Sequence, residues 1–237
     1  MSATSPRKAT RLEEALLWYH FVPASGPEGR DWYDEYRRSG WEALCQRIDV
    51  SVALMRRRKI DAGKALLDEC RAPFEAPEAR SASRTVAGIA EEGYFGALAY
   101  FQYHRGQYDA ARDALNNAAN RIAEVVAKAP YLVTFTTKCY DFCLHRARIA
   151  RGEAHWPEMW TRVQEGREML AGERPLCRSD HGATYIADAE GFFQAITPAD
   201  DLERRALDIL RDRNSMIATY EKRALGATMP PGVVVDY

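Results

Sequence analysis

Three short polar breaks, at Arg58-Lys59, Arg105-Gly106-Gln107 and Arg151-Gly152-Glu153, interrupt helical patterning that is otherwise nearly continuous. They lie about 46 to 48 residues apart. Each break separates two apolar-periodic runs. Trp41 to Arg57 leads into Ile60 to Arg71, and Ser83 to His104 leads into Tyr108 to Lys128. Tyr131 to Ala150 leads into a run ending at Leu170, with Pro157 placed where a first helical turn tolerates its missing N–H. Even spacing in this range is the mark of stacked helical hairpins, each burying its apolar face on its neighbour. No segment alternates in the manner of a strand, and the only β-branched run is Val233 to Val235. The expected fold is all-α: stacked antiparallel hairpins with N- and C-terminal capping helices.

Outside the three units the chain is more varied. Residues 1–9 are expected to be disordered, 10–226 to form a single helical domain, and 227–237 to form a flexible tail. A first helix fits Thr10 to Phe21, with Leu12, Ala15, Leu16 and Tyr19 on one face. Pro23 to Gly29 reads as a loop, and a short helix follows through Trp32 and Tyr36 to about Gly40. Gly172 to Gly182 is the longest irregular stretch between helices. Thr197-Pro198-Ala199-Asp200 then combines a capping Thr, an early Pro and an acid, and opens a helix to about Ala224. Its inward positions are Leu202, Ala206, Ile209, Met216 and Tyr220.

Charge and cysteine usage narrow the function. With 33 Lys+Arg against 34 Asp+Glu, the chain has no overall field to draw it onto nucleic acid or an acidic membrane. Five cysteines without dense spacing point to reduced thiols, and neither a secretory leader nor an 18-residue apolar span is legible. A cytoplasmic protein is expected.

Leu98-Ala99, Gly106, Tyr108, Ala111, Leu115 and Ala118 together resemble the signature of the tetratricopeptide repeat. The first unit holds a weaker version in Ile60, Gly63, Leu67 and Cys70, and the third keeps Gly152. Two features depart from the family. Its usual period is about 34 residues, shorter than the spacing here. The early aromatic of the first helix is Phe95 in the second unit and is missing elsewhere. The resemblance implies a non-enzymatic scaffold whose concave groove takes a protein or peptide partner. Carried over by position, Tyr100, Tyr103 and His104 would face that groove, with Cys139, Cys143 and Arg146 from the next unit. Aromatic and Arg side chains suit a binding surface. The competing reading makes Tyr100 and Tyr103 core residues with hydroxyls at the edge. The family's clamp for a terminal carboxylate has no match, since Tyr100 stands where an Asn would be.

Gly88, Gly93 and Gly96 share one expected helix, at about 1 kcal/mol each relative to Ala. Close packing along Ala90, Gly93 and Ala97 would offset that cost. A ligand pocket edged by Glu91, Glu92 and Tyr94 is the alternative, completed by Cys177, Asp180 and His181 from the irregular loop. This alternative would make the protein a small-molecule binder or an enzyme.

Chemistry motifs are otherwise thin. Cys139/Cys143 and Cys177/His181 have the four-residue spacing of a shared helix face, but lack tight zinc knuckles. Cys177, Asp180 and His181 lie too close along one loop for a triad. No nucleophile elbow, phosphate loop or dinucleotide fingerprint is present. None of the five histidines has a Glu three residues before it, against a di-iron bundle. Arg56 to Lys59 ends a helix, where cations complement the dipole. No catalytic residue, metal or cofactor is therefore expected. The tail through Val233 to Val235 could dock as a strand in a partner or in the protein's own groove.

Overall fold

A computed structural model of the chain describes residues 27–75, 84–129, 138–171 and 173, with scattered positions from 204 to 224. The described residues form helices and no strand. They are α1 (Pro27–Arg38), α2 (Trp41–Arg56), α3 (Ile60–Glu69), the one-turn α4 (Ala72–Glu75), α5 (Arg84–His104), α6 (Tyr108–Lys128), α7 (Lys138–Gly152) and α8 (Trp156–Ala171). Helix α1 begins at Pro27, inside the stretch expected to be a loop, because proline is well suited to an opening turn. The expected helix at Thr10 to Phe21, the Thr197 helix start, the inward positions named for its helix and the tail lie outside the described residues.

Apolar spacing explains why these segments are helical. In α6 the buried positions Ala111, Ala114, Leu115, Ala118, Ile122 and Val125 recur at three and four residues, one stripe of a 3.6-residue period. Helices pair as α2/α3, α5/α6 and α7/α8, and α2 also lies along α5. Small residues permit that approach: Ala90 and Ala97 are buried, and Ile48 comes within 3.9 Å of where a Gly93 Cβ would stand. Helix α1 closes one end, with the Trp32 Nε1–H donating to Thr85 Oγ1 on α5 at 3.1 Å. Phe74 of α4 fits between Trp41 and Tyr94, 5.7 and 5.6 Å from their rings.

The three turns share one geometry. Arg58, Gly106 and Ala154 have φ of 64°, 70° and 59°, and they stand 48 residues apart. In each, the following N–H reaches back five residues: Lys59 to Leu54, Gln107 to Gln102, and His155 to Ala150, at 3.0, 3.0 and 2.8 Å. The left-handed residue itself bonds three back, to Met55, Tyr103 and Arg151. This double closure is the Schellman motif, which satisfies carbonyls that a helix end leaves unpaired.

The third turn therefore lies at Glu153-Ala154-His155, later than the Arg151-Gly152-Glu153 expected from sequence. Gly152 is still helical. Its missing Cβ serves a contact: such an atom would lie 2.7 Å from Cε1 of the Tyr108 ring. Set in this register, burial repeats every 48 residues. Ser51, Ala99 and Ala147 are buried small residues, Leu67, Leu115 and Val163 are buried, and so are Cys70, Ala118 and Gly166. Each branched member of the second set removes roughly 2 kcal/mol of apolar surface from water. Charges tie successive turns as well. Arg105 Nη2 lies 2.8 Å from Asp61, and Arg112 pairs with Glu153.

The third hairpin is seated differently from the second. Helix α7 lies along α6, whereas α2 lies along α5. Its buried residues Leu144, Ala147, Ala150, Met159, Val163 and Leu170 form a separate core cluster, joined by Ile217 and Ala224. Arg151 Nη1 donates to the Ala224 carbonyl at 3.1 Å, and Arg167 pairs with Glu221 at 2.7 Å, which ties these two residues to this hairpin.

Candidate functional site

Because α7 lies along α6, a cleft opens between α5 and α7. Gly96, Ala99, Tyr100 and Tyr103 line one wall, His145, Arg148, Ile149 and Arg151 line the other, and Leu115 of α6 contributes from below. The walls follow from helical periodicity. Gly96, Tyr100 and Tyr103 fall on one face of α5, and His145, Arg148 and Arg151 on one face of α7. Tyr100 and Arg148 are 48 residues apart, as are Tyr103 and Arg151, so equivalent positions of two hairpins face one another.

The cleft is aromatic and cationic. The Arg56 guanidinium sits over the Tyr100 ring at 5.8 Å, a cation–π distance. His104 meets the edge of Tyr100 at 4.4 Å and that of Tyr103 at 5.4 Å. Tyr103 in turn contacts Tyr108 at 5.9 Å. The volume of the cleft is about 50 Å³. That is room for a few waters or the tip of one side chain, and well below the ~300 Å³ at which small-molecule sites begin.

Of the expected groove residues, Tyr100 and Tyr103 line the cleft, and His104 touches both rings without lining it. Arg146 is not among them. It lies on the opposite side of α7, where Nη2 donates to Asn116 Oδ1 at 3.1 Å. Cys143 is also turned away: it is buried, with Sγ 4.0 Å from Glu165 Oε2 on α8. The cause is the two-residue offset of the third turn, which rotates the expected face of α7 by about 200°. In the true register the cleft residues of α7 are His145, Arg148 and Arg151. Adding 48 to Tyr100 and Tyr103 would have found two of them.

The alternative pocket is partly accounted for. Glu91 is in an ion pair with Arg121 Nε at 2.7 Å, joining α5 to α6. Glu92 is buried, with Lys138 Nζ of α7 3.8 Å away. Both carboxylates thus cross-link helices. Cys177, Asp180 and His181 lie outside the described residues, as does the side chain of Cys139. The glycines divide between the two readings. A Cβ on Gly88 would meet Val125 Cγ2 at 2.7 Å, which is close packing, while Gly96 borders the cleft.

Burial also sets the chemistry of the thiols. Cys45 is pushed up to about 12, by burial first, with Asp49 adding to it. Desolvation raises Cys70 too. A thiol held protonated is a poor nucleophile. Among the described residues no three His, Cys, Asp or Glu side chains cluster to hold a metal. No described helix is long and apolar enough to cross a membrane. Arg56 to Lys59 divides between a cation over Tyr100 and a turn whose Arg58 is left-handed. No protein-family model, curated protein or solved structure matches the chain.

Proposed function

We propose that the protein is a non-enzymatic, tetratricopeptide-like α-solenoid scaffold that holds a protein or peptide partner against the α5–α7 cleft. One observation carries this reading: Tyr100 and Tyr103 face Arg148 and Arg151, their equivalents one hairpin later, across a cleft sized for a side chain. Tyrosine and arginine bring large contact area and are among the residue types that dominate binding energy at interfaces. The recurrence of buried small residues 48 positions apart supports the repeat, with hairpins longer than the family's. The different seating of the third hairpin marks where the solenoid departs from uniform stacking and so opens the cleft.

The test is a photo-crosslinking amino acid at Tyr103, with a control at exposed Val50, in the native lysate. A defined protein adduct at 103, absent at 50 and lost on Arg148→Ala in a folded chain, supports the reading. Adducts equal at both positions, or unaffected by Arg148→Ala, would sink it. The small-molecule or enzyme alternative draws less support, since Glu91 and Glu92 are both occupied in interhelical pairs.

A further inference from the structure

We propose that a second pocket, open to solvent and lined from α6, α7 and α8, binds the phosphoryl group of a small phosphomonoester. Its volume is about 350 Å³, within the ~300–1,000 Å³ typical of ligand sites, and its lining is Arg112, Asn116, Arg146, Glu158 and Arg162. Three guanidinium groups reach it from three different helices. Two of them are already matched. Arg112 pairs with Glu153 and, at 3.1 Å, with the exposed Asp109, and Arg162 lies 2.9 Å from Glu165 and 3.9 Å from Glu158. Arg146 differs: it donates to the neutral Asn116 Oδ1 at 3.1 Å and has no carboxylate at ion-pair distance among the described residues.

The lining sets three guanidinium groups against one carboxylate, Glu158, and the one guanidinium with no carboxylate at ion-pair distance among the described residues favours an anion in the space they share. The guanidinium fork matches phosphate oxygens two at a time. Asn116 accepts from Arg146 through its oxygen, which orients the amide and leaves its N–H donors for a ligand. Donors arriving from three helices suit a tetrahedral group with three acceptor oxygens better than a planar carboxylate with two. Glu158 opposes an incoming anion, so affinity is modest. That opposition supplies a test with a sign, and the site is independent of the α5–α7 cleft.

The full chain, ¹⁵N-labelled, is titrated with inorganic phosphate, glycerol phosphate and succinate at matched ionic strength, following the arginine Nε–H signals. Saturable binding of phosphate and glycerol phosphate is expected in the millimolar range or tighter. Arg146→Gln weakens it at least tenfold, Arg146→Lys weakens it less, and Glu158→Gln tightens it severalfold. Melting curves establish that each variant is folded, and if Arg146→Gln is not, Arg146→Lys and Glu158→Gln decide. The proposal is overturned if wild type does not saturate, if the Arg146 variants bind as wild type, or if Glu158→Gln fails to tighten binding. Succinate binding as tightly as glycerol phosphate overturns the phosphoryl assignment.

Discussion

The Tyr108 ring, at the start of α6, lies across Gly152, the last residue of α7, leaving no space for a side chain there. This contact locks the second hairpin onto the third. Gly152→Ala is expected to lose about 1 kcal/mol, since the ring must swing away from Tyr103 and this outweighs the helix propensity that Ala gains. Tyr108→Ala should abolish the penalty. Denaturant melts of both single variants and the double variant measure the coupling, and additive effects would rule the contact out as the cause.

The left-handed turn residues make opposite predictions. At Gly106 a Cβ would meet nothing within 4 Å, so Gly106→Ala pays only for backbone, roughly 1 kcal/mol. Ala154 already bears that cost at φ 59°. Ala154→Gly should therefore stabilise the protein by up to about 1 kcal/mol, read as a higher melting temperature. A lower one would contradict the assigned turn.

Gly63, buried, and Gly93, half-buried, both sit at helix contacts yet should respond oppositely to Ala. A Cβ on Gly63 would stand 2.5 Å from Met55 Cγ and 2.7 Å from the Ser51 carbonyl oxygen, and backbone cannot step aside. Gly63→Ala is expected to cost about 3 kcal/mol. At Gly93 the nearest atom is 3.9 Å away, an ordinary contact, so Ala should gain up to about 1 kcal/mol from helix propensity. Equilibrium unfolding of the two variants checks both signs.

Alkaline pH should weaken the fold through Cys45. Its thiol titrates at about 12 when folded, against an ordinary value of 9.0, so the folded chain holds a proton that the unfolded chain has lost between those values. Stability is complete below about pH 9 and falls as pH rises towards 12. Burial also raises the neighbouring Tyr36 hydroxyl, which adds to the same limb. Cys45→Ala should flatten the decline in melting temperature, and an unchanged slope would refute the assignment. Native Cys45 should likewise resist alkylation at pH 8.

Much of the helical architecture was legible because the apolar stripes are long, as in α6, and because Gly106 marks a turn where a left-handed residue is required. The third turn was not, because glycine has two uses. Gly152 is read as the turn residue, but it serves the Tyr108 contact, and the left-handed position falls to Ala154, which carries no turn signal. That offset sends Arg146 and Cys143 to the cleft on paper and His145 and Arg148 away from it. The seating of α7 on α6, and with it both cavities, depends on which side chains meet between hairpins, and no single-chain periodicity encodes that.

The constant 48-residue step between turns ties the cleft to the exact length of its helices. One residue inserted within α7 would turn everything after it by about 100°, carrying Arg148 and Arg151 away from the tyrosines. A duplicated block of one full step would keep the turn spacing and the register of buried residues, although the third hairpin already seats on its neighbour differently from the second. Single insertions inside its helices are therefore the changes this chain tolerates least, because each one re-aims the residues that follow it within the helix.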